Sequence, residues 1–368
     1  MKIGLITFSR SRNYGAVLQT YATYNFLKNY SDNVEVIDYI ARGWDFRKKN
    51  YPFLIKESKW DKNSFTRFLW KNVILKNQLK QHKLFWNFIK ANCQLTKSYY
   101  SVDEMSELKN SYDLAVCGSD QIWNPDFATN KIPDGAYFLS FIGENTKKIS
   151  ISSSFGCESL SNENESIIFN YLKEFKSITT REKSGKYILE KMGLNSEIVL
   201  DPTLIAGTKV WNEMASNRLV KNKYMLLFQI FPNNNRVEFA RKLAKQKNLK
   251  LIIVTANPLD KYKIKHRVIS LPKVDEWISY FKYADFVITD SFHATAFSVM
   301  FNREFLVDSN VSYNTRMKSL LDYLGLQDRM IDIDSYINMN EINYKKVNEK
   351  LEYIRNLTID VLDKSICK

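Results

Sequence analysis

The alternation of short apolar runs with amphipathic segments constrains the fold of this chain more than any other sequence feature. The clearest example covers residues 284–301, where an apolar run ends at Thr289, Asp290 and Ser291 and an uncharged segment follows. The apolar run contains β-branched residues and indicates a buried strand, and the three polar side chains can cap a helix. A strand that leads directly into a helix is the repeating unit of parallel α/β sheets.

This unit occurs in two series along the chain, which predicts two domains. Strands are predicted at 2–8, 34–40, 114–117, 149–154, 177–180 and 197–200, and then at 224–230, 250–255, 267–270, 285–289 and 304–307. Helices are predicted at 14–28 and 235–246. We therefore expect parallel-sheet domains over 1–205 and 206–342, a C-terminal helix over 343–368, and a ligand site in the cleft between the domains.

Cysteine usage and hydropathy limit the class of protein. The four cysteines (Cys93, Cys117, Cys157 and Cys367) form no CxxC pair, so neither a metal site nor a disulfide framework is expected. No apolar run approaches the roughly 20 residues that cross a bilayer, and the N-terminal sequence is not that of a signal peptide. A cytoplasmic setting fits these observations best.

The net charge of +14 is concentrated in one segment. Residues 42–97 contain 14 Lys or Arg and 3 Asp or Glu, interleaved with eleven aromatic residues. Such a basic, aromatic insert over 42–98, which is predicted to be helical, suits an anionic membrane surface and would also suit nucleic acid. The alternative is a helical insertion whose aromatic rings face the protein's own core. We expect peripheral contact with the inner face of the plasma membrane and no nucleic-acid partner.

His293 follows the strand at 284–289 and is the strongest catalytic candidate from the local pattern. A strand-to-helix turn lies at the carboxyl edge of a parallel sheet, where open α/β sheets bind ligands. The helix amide groups at that edge favour an anion, and histidine transfers protons near neutral pH. The alternative is a histidine that merely hydrogen-bonds a loop.

Two other loops follow predicted strands and carry polar side chains. Residues 9–15 include Asn13 and Tyr14 but match neither a GxGxxG fingerprint nor a Walker loop. Residues 117–125 contain Asp120, a candidate general base. Their other polar and aromatic side chains, which suit a sugar, are Gln121, Trp123 and Asn124. The alternative is a helix cap at Asp120 and a core position for Trp123.

Cationic residues follow further strands. Arg181 is suited to grip a carboxylate or phosphate bidentately, although a salt bridge to Glu182 or another acid would also account for it. Arg316 and Lys318 add positive charge beyond the last strands.

Seven segments, in this order, resemble motifs of the polysaccharide pyruvyl transferase family. They are NYGAVLQ (13–19), GSDQIWNP (118–125), SSFG (153–156), REKSG (181–185), LDPTL (200–204), SFHATAF (291–297) and RMKSLLDYLGL (316–326) with Arg329. The resemblance runs from about residue 1 to about residue 330. The basic insert and the C-terminal helix lie outside it.

The resemblance implies two Rossmann-like domains arranged as in the B-type glycosyltransferases, with the active site in the interdomain cleft. It implies transfer of the pyruvyl group of phosphoenolpyruvate, a co-substrate, onto a sugar of a bacterial surface polysaccharide or its polyprenyl-linked precursor. The product is a cyclic ketal and phosphate is released. No cofactor or metal is required.

The resemblance matches His293 and Arg181 to the family's histidine and arginine, and the chemistry of the side chains suggests the other roles. His293 is expected to be the proton donor, with Asp120 as the base. Expected donor-binding residues are Arg181, Ser291, Arg316 and Lys318. Expected acceptor-binding residues are Asn13, Tyr14, Gln121, Trp123 and Asn124. Some family members have arginine where this chain has Ser291, so Arg316 or Lys318 is expected to replace it. The N-terminal domain is expected to hold the acceptor and the C-terminal domain the donor.

Two other functions stay open at this point. A nucleotide-sugar glycosyltransferase would share the architecture but needs a ribose-binding acid, for which Asp290 and Glu304 are the nearby candidates. A non-catalytic polyanion- or polysaccharide-binding protein would use the basic insert instead.

Overall fold

A computed structural model describes residues 1–41, 63–309, 315–333 and 340–367. The described chain folds around two parallel sheets, as the alternation of strands and helices predicted. Among these residues no helix is long and apolar enough to cross a membrane.

The N-terminal sheet has the strand order β3-β2-β1-β4-β5, with every pair parallel. Its strands are β1 (Ile3–Ile6), β2 (Val34–Tyr39), β3 (Leu95–Tyr99), β4 (Leu114–Cys117) and β5 (Lys147–Ser150). A short parallel pair, β6 (Thr179–Thr180) and β7 (Glu197–Ile198), lies beside β5. The associated helices are α1 (Tyr14–Lys28), α2 (Ser64–Asn92), α3 (Asn162–Leu172) and α4 (Lys183–Lys191).

The C-terminal sheet has the order β10-β9-β8-β11-β12-β13 and is also parallel throughout. Its strands are β8 (Tyr224–Phe228), β9 (Lys250–Thr255), β10 (Val268–Ser270), β11 (Phe286–Thr289), β12 (Glu304–Asp308) and β13 (Met330–Ile331). The remaining helices are α5 (Pro202–Ile205), α6 (Gly207–Met214), α7 (Asn234–Gln246), α8 (Val274–Lys282), α9 (Phe292–Met300), α10 (Thr315–Leu324) and α11 (Tyr344–Cys367).

The β11–α9 unit shows why the sequence adopts this local structure. All four residues of β11 are buried, because the strand lies between β8 and β12 and carries only apolar side chains apart from Thr289. The Ser291 hydroxyl caps α9 by accepting a hydrogen bond from the Ala294 amide at 3.4 Å. All of α9 is buried, which explains its lack of charge.

Helix α11 returns to the N-terminal half of the chain. The Leu200 amide donates to the Thr358 hydroxyl at 3.1 Å, and the Ser177 and Ser365 hydroxyls lie 2.7 Å apart. The helix was predicted over 343–368, but its position against β5–β7 was not predicted. The domain division at residues 205 and 206 stays a prediction.

The basic insert forms α2 and β3, while residues 42–62 of it lie outside the described residues. In the second half of α2, Phe85 is buried and packs edge-on against Tyr14 at 4.9 Å between ring centroids. In the first half, the apolar side chains of Phe65 and Phe68 are 68% and 62% exposed. The insert therefore uses part of its aromatic content as core and leaves part of it on the surface.

Candidate active site

A cavity of about 380 Å³ lies between the carboxyl edges of the two sheets. Its lining comes from the loops after β1, β4, β8, β9 and β11, together with residues of α2, α8 and α10. The lining includes Arg12, Asn13, Tyr14, Gly15, Asp120, Gln121, Gln229, Asp260, Asp290, Ser291, His293 and Arg316. Parallel sheets bind ligands at this edge, and both domains contribute polar groups to it.

His293 lies in the first turn of α9 and is 7% exposed. Its Nε2 atom makes no hydrogen bond with any described residue and lies 3.8 Å from the Asp201 carboxylate. Burial lowers the pKa of His293 to about 4, although the Asp201 and Asp120 charges act in the opposite direction. The imidazole is therefore neutral at physiological pH.

The other face of the His293 ring packs against α1. A Cβ atom built on Gly15 would lie 2.5 Å from His293 Cγ and 2.6 Å from Cε1, and still closer to Nδ1. Only glycine at this position allows the ring to approach the helix so closely. Gly15 belongs to the N-terminal domain and His293 to the C-terminal one, so this contact fixes the ring across the cleft.

Arg181 holds two carboxylates together below the cavity. Its guanidinium donates to Asp201 at 2.5 Å and to Asp120 at 3.0 Å, and only 1% of its side chain is exposed. Burial would lower the pKa of Arg181, but Asp201, Asp120 and Glu182 together raise it. Glu182 itself accepts hydrogen bonds from the Phe155 and Gly156 amides rather than from Arg181.

This arrangement corrects the expectation that Arg181 grips the donor. Its charge is already compensated by two buried acids, and it is not among the residues that line the cavity. Arg181 is a positioning residue in this structure, because it fixes the carboxylates that face His293 and Arg316.

Arg316 is the arginine that faces the cavity beside His293. Its guanidinium lies 3.7 Å from Asp120, contacts the Gln121 amide, and stands 5.7 Å from the centre of the Phe292 ring. Burial, aided by the charge of Arg181, lowers the pKa of Arg316 to about 10. The residues around Arg316 therefore compensate its positive charge only in part.

Asp120 adopts a φ angle of 79°, a left-handed conformation that is uncommon outside glycine. Burial would raise the pKa of Asp120, but Arg181, His293 and Arg316 hold it below its ordinary value. A carboxylate with a lowered pKa is a weaker base, so the geometry favours a role in orienting the two arginines.

Asp201 was not singled out as a site residue from the sequence, although it belongs to the LDPTL segment. Its carboxylate accepts hydrogen bonds from the Thr203 amide, the Thr203 hydroxyl and the Ser119 hydroxyl at 2.7–3.0 Å. Burial opposes ionisation, but His293, Arg181 and the two hydrogen bonds from Thr203 lower the pKa of Asp201 to about 2. It faces His293 as a permanent negative charge.

The chain also resembles known proteins in sequence. The sequence profile of the polysaccharide pyruvyl transferase family matches residues 13–310. The chain belongs to this family. No curated protein matches it.

Solved structures similar to this chain share its fold at low sequence identity. A candidate UDP-N-acetylglucosamine 2-epimerase from Listeria monocytogenes has a TM-score of 0.52 and 10% identity over 98% of this chain and 95% of its own. The UDP-GlcNAc 2-epimerase from Methanocaldococcus jannaschii has a TM-score of 0.51 and 13% identity over 97% and 93%. These similarities confirm two Rossmann-like domains arranged as in the B-type glycosyltransferases.

Only some of the residues predicted to bind the acceptor line the cavity. Asn13, Tyr14 and Gln121 line the cavity, although the Tyr14 hydroxyl already donates to the Pro272 carbonyl at 2.6 Å. Trp123 and Asn124 do not reach it. Trp123 is 1% exposed, stacks on Phe138, and donates from its indole nitrogen to the Tyr137 carbonyl.

Trp123 is therefore a core residue of the N-terminal domain, as the alternative interpretation held. Asn124 is buried and caps the short 3-10 helix that follows, accepting from the Asp126 amide at 3.0 Å. A correction also applies to Lys318, which is exposed on α10 and does not line the cavity. Ser291 lines the cavity at the first turn of α9.

Helix α2 of the basic insert, which was predicted to be helical, also forms part of the cavity wall, a position that the sequence did not indicate. The Gln81 amide of α2 donates to the Arg12 carbonyl at 2.9 Å and to the Ala256 carbonyl at 2.8 Å. It thereby joins a loop of the N-terminal domain to a loop of the C-terminal domain. Across the described ranges no group of three or more His, Cys, Asp or Glu residues has a geometry that could hold a metal ion.

Proposed function

We propose that this pyruvyl transferase takes the pyruvyl group from phosphoenolpyruvate and joins it to two hydroxyls of one sugar as a cyclic ketal. The sugar belongs to a bacterial surface polysaccharide or to its lipid-linked precursor. The observation that carries the proposal is that Arg316, His293 and the first turn of α9 meet at one wall of the cavity. A cation beside helix amide groups suits a small anion with several charges.

Arg316 is proposed to hold the donor. A bound phosphate or carboxylate would supply the negative charge that Asp120, at 3.7 Å, only partly provides. Guanidinium groups bind both kinds of anion bidentately. Arg12 lines the same cavity from the N-terminal domain and adds positive charge to it.

His293 is proposed to move one proton in the first step. A sugar hydroxyl oxygen bonds to the second carbon of phosphoenolpyruvate, and the double bond is lost as the methylene carbon gains a proton. A neutral imidazole can take the hydroxyl proton and deliver it to that carbon, so the step has no net proton demand. The unpaired Nε2 atom of His293, which leaves the neutral ring able to accept a proton, supports this role.

In the second step a neighbouring hydroxyl of the sugar bonds to the same carbon, and the bond from that carbon to the phosphate oxygen breaks. The hydroxyl proton leaves with the phosphate, so atoms and charge balance. Asp120 was the expected base, but its two arginine neighbours weaken it. We assign proton transfer to His293 and the orientation of Arg316 to Asp120.

Incubation of the protein with phosphoenolpyruvate and a panel of saccharides tests this function. We expect phosphate release together with the mass gain of one pyruvylidene group on the sugar. His293→Gln should lower the rate by about 100- to 10,000-fold. Arg316→Gln should raise KM for phosphoenolpyruvate by about tenfold or more. Lys318→Gln, on the exposed side of the same helix, is the matched control. Full activity of His293→Gln would contradict the proposal.

The geometry gives less support to a nucleotide-sugar glycosyltransferase. Both candidate ribose-binding acids are already occupied. Asp290 pairs with the buried Arg236 at 2.8 Å and accepts from the Ile230 and Phe231 amides. Glu304 pairs with Arg329 at 3.1 Å. An acidic side chain without a partner at either position would have supported ribose binding and therefore a nucleotide-sugar donor.

The first turns of α2 support a peripheral membrane contact. Phe65, Phe68 and Leu69 are exposed there, in the segment that carries most of the excess positive charge. At about 1.5 Å per residue, Leu69 stands about 18 Å along the helix from Gln81 at the cavity. A membrane-bound α2 would hold the cavity within reach of a lipid-linked sugar.

Vesicle sedimentation tests this contact. We expect binding to vesicles with anionic lipid, loss of binding at high salt, and poor binding to neutral vesicles. The double variant Phe65→Ser, Phe68→Ser should abolish sedimentation without changing activity on a soluble sugar. Tyr353→Ser, which removes an equally exposed aromatic ring from α11, is the control. Equal sedimentation with neutral and anionic vesicles would contradict the proposed membrane contact.

A further inference from the structure

The C-terminal side of the cavity contains two buried polar groups that are left without partners. Asp260 is 2% exposed, and its Oδ1 atom accepts no hydrogen bond from any residue that the structure describes. Gln229 is 1% exposed, and within the same ranges its Nε2 atom has no acceptor. Both residues line the cavity. Buried polar groups in proteins are rarely left unsatisfied.

The surrounding structure fixes the Gln229 amide and the backbone that carries Asp260. The Gln229 carbonyl oxygen accepts from Arg236 Nη1 at 3.0 Å and from the Asn233 amide at 3.2 Å, which fixes Nε2 as an unused donor. Asp260 lies in a 3-10 turn that Asn257 caps by accepting from the Leu259 amide at 3.0 Å.

The chemistry of this side of the cavity differs from that of the donor side. Burial raises the pKa of Asp260 to about 6; Lys263 opposes the shift and Asp290 adds to it. An ionised carboxyl group repels phosphate but accepts hydrogen bonds from hydroxyl groups. An amide nitrogen donates hydrogen bonds to hydroxyl oxygens. Beside it, Ile230 and Phe231 line the cavity with side chains 50% and 53% exposed. An exposed ring next to hydrogen-bonding groups suits a pyranose, which has an apolar face and polar edges.

We propose that Asp260, Gln229 and Phe231 form the subsite that holds the acceptor sugar, with Asp260 and Gln229 hydrogen-bonded to its hydroxyls and Phe231 against its ring face. The proposal rests on the proposed function, because it names where the second substrate of that reaction lies. It moves the main acceptor contacts to the C-terminal domain, whereas sequence analysis expected them in the N-terminal domain. Arg316 and His293 then face the sugar from the donor side.

Ligand-observed NMR with the full chain tests the subsite. The probes are methyl glycosides of galactose, glucose, N-acetylglucosamine and N-acetylmannosamine, each titrated separately from phosphoenolpyruvate. We expect Asp260→Asn and Phe231→Ala each to weaken binding of the tightest saccharide by about tenfold or more. Both variants should leave the affinity for phosphoenolpyruvate within about twofold, a change too small to report a lost contact.

Tyr262→Ala is the matched control, because Tyr262 is exposed, lies two residues from Asp260 and does not line the cavity. Phe231 is half exposed, so its variant keeps the test valid if Asp260→Asn misfolds, and circular dichroism checks both. The proposal is overturned if the variants bind saccharide like the wild type, or if no saccharide in the panel binds while phosphoenolpyruvate does. Binding of UDP that depends on Asp260 would also overturn it, in favour of a nucleotide.

Failure of the proposed function would look different. If the wild type does not bind phosphoenolpyruvate but binds a saccharide through Asp260 and Phe231, the donor assignment is wrong and the saccharide subsite stands. If phosphoenolpyruvate binds through Arg316 and the saccharide affinity is indifferent to Asp260, the donor assignment stands and the subsite is wrong.

Discussion

Replacement of Gly15 by alanine tests the contact that holds the His293 ring across the domain cleft. The new Cβ atom would lie 2.5 Å from His293 Cγ, whereas ordinary van der Waals contact begins at 3.4 Å. Relief of the Cγ contact alone requires the imidazole to retreat by about 0.9 Å, the difference between these distances, and Nδ1, which lies closer still, sets a larger retreat. A displacement of about 1 Å at a reacting group can cost about 100-fold in rate. We expect a loss of that order in phosphate release.

The effect on stability should depend on what occupies position 293. In the wild type, the steric clash should cost about 1–3 kcal/mol. It is partly offset because alanine is favoured over glycine in a helix by about 1 kcal/mol. In a His293→Ala background the clash is gone, so Gly15→Ala should stabilise the protein. A double-mutant cycle by urea denaturation measures this reversal of sign.

Two results would refute the reasoning. A Gly15→Ala variant with unchanged turnover would mean that the ring position does not matter for the reaction. Equal destabilisation in both backgrounds would mean that alanine at position 15 meets something other than the imidazole.

Three further predictions follow from the charges of the site. Arg181→Met should lower the free energy of unfolding by about 3–5 kcal/mol, because it strands two buried carboxylates; Arg241→Met, at an exposed ion pair, should cost less than about 1 kcal/mol in the same urea titration. The pKa of His293 is held at about 4, below its ordinary value of 6.5. The contribution of the neutral ring to the free energy of unfolding is therefore present above pH 6.5 and is lost as the pH falls towards 4. His293→Asn should flatten this loss in thermal melts, and phosphoenolpyruvate should raise the pKa of the ring in NMR titrations; an unchanged pKa would contradict an anion beside His293. The pKa of Asp260 is raised to about 6 from 3.8, so its contribution is largest below pH 3.8 and lost as the pH rises through 6. Asp260→Asn should therefore raise the melting temperature at pH 7.5 more than at pH 4, and the opposite order would argue against a buried carboxyl.

Much of the fold could be predicted because buried strands and helix caps are local patterns. The bounds of β4, β9 and α1 agree with those predicted, and each element is set by its own apolar run or cap. β3 was missed because it is an edge strand with the mixed sequence Leu-Thr-Lys-Ser-Tyr and only one buried residue. β13 was missed because a strand of two residues has no periodicity to detect.

The site was predicted less completely, because the availability of a side chain depends on its partners. The sequence shows that Arg181 is a cation at a strand end, but not that Asp120, 61 residues away, already neutralises it together with Asp201. Trp123 lies two residues after Gln121, which lines the cavity, yet the Trp123 ring is buried in the core. Asp260 carried no motif at all, and only its burial beside the cavity distinguishes it.

The return of α11 to the N-terminal half of the chain has a consequence for biosynthesis. Leu362 and Ile366 are buried in a core shared with strands made near the start of translation. At about 5–20 residues per second, the ribosome needs about 10–30 s to add the residues between α5 and the end of α11. During that interval the nascent N-terminal half exposes the apolar surface that α11 later covers. We therefore expect the partly synthesised chain to need chaperones more than the chain in which α11 is in place.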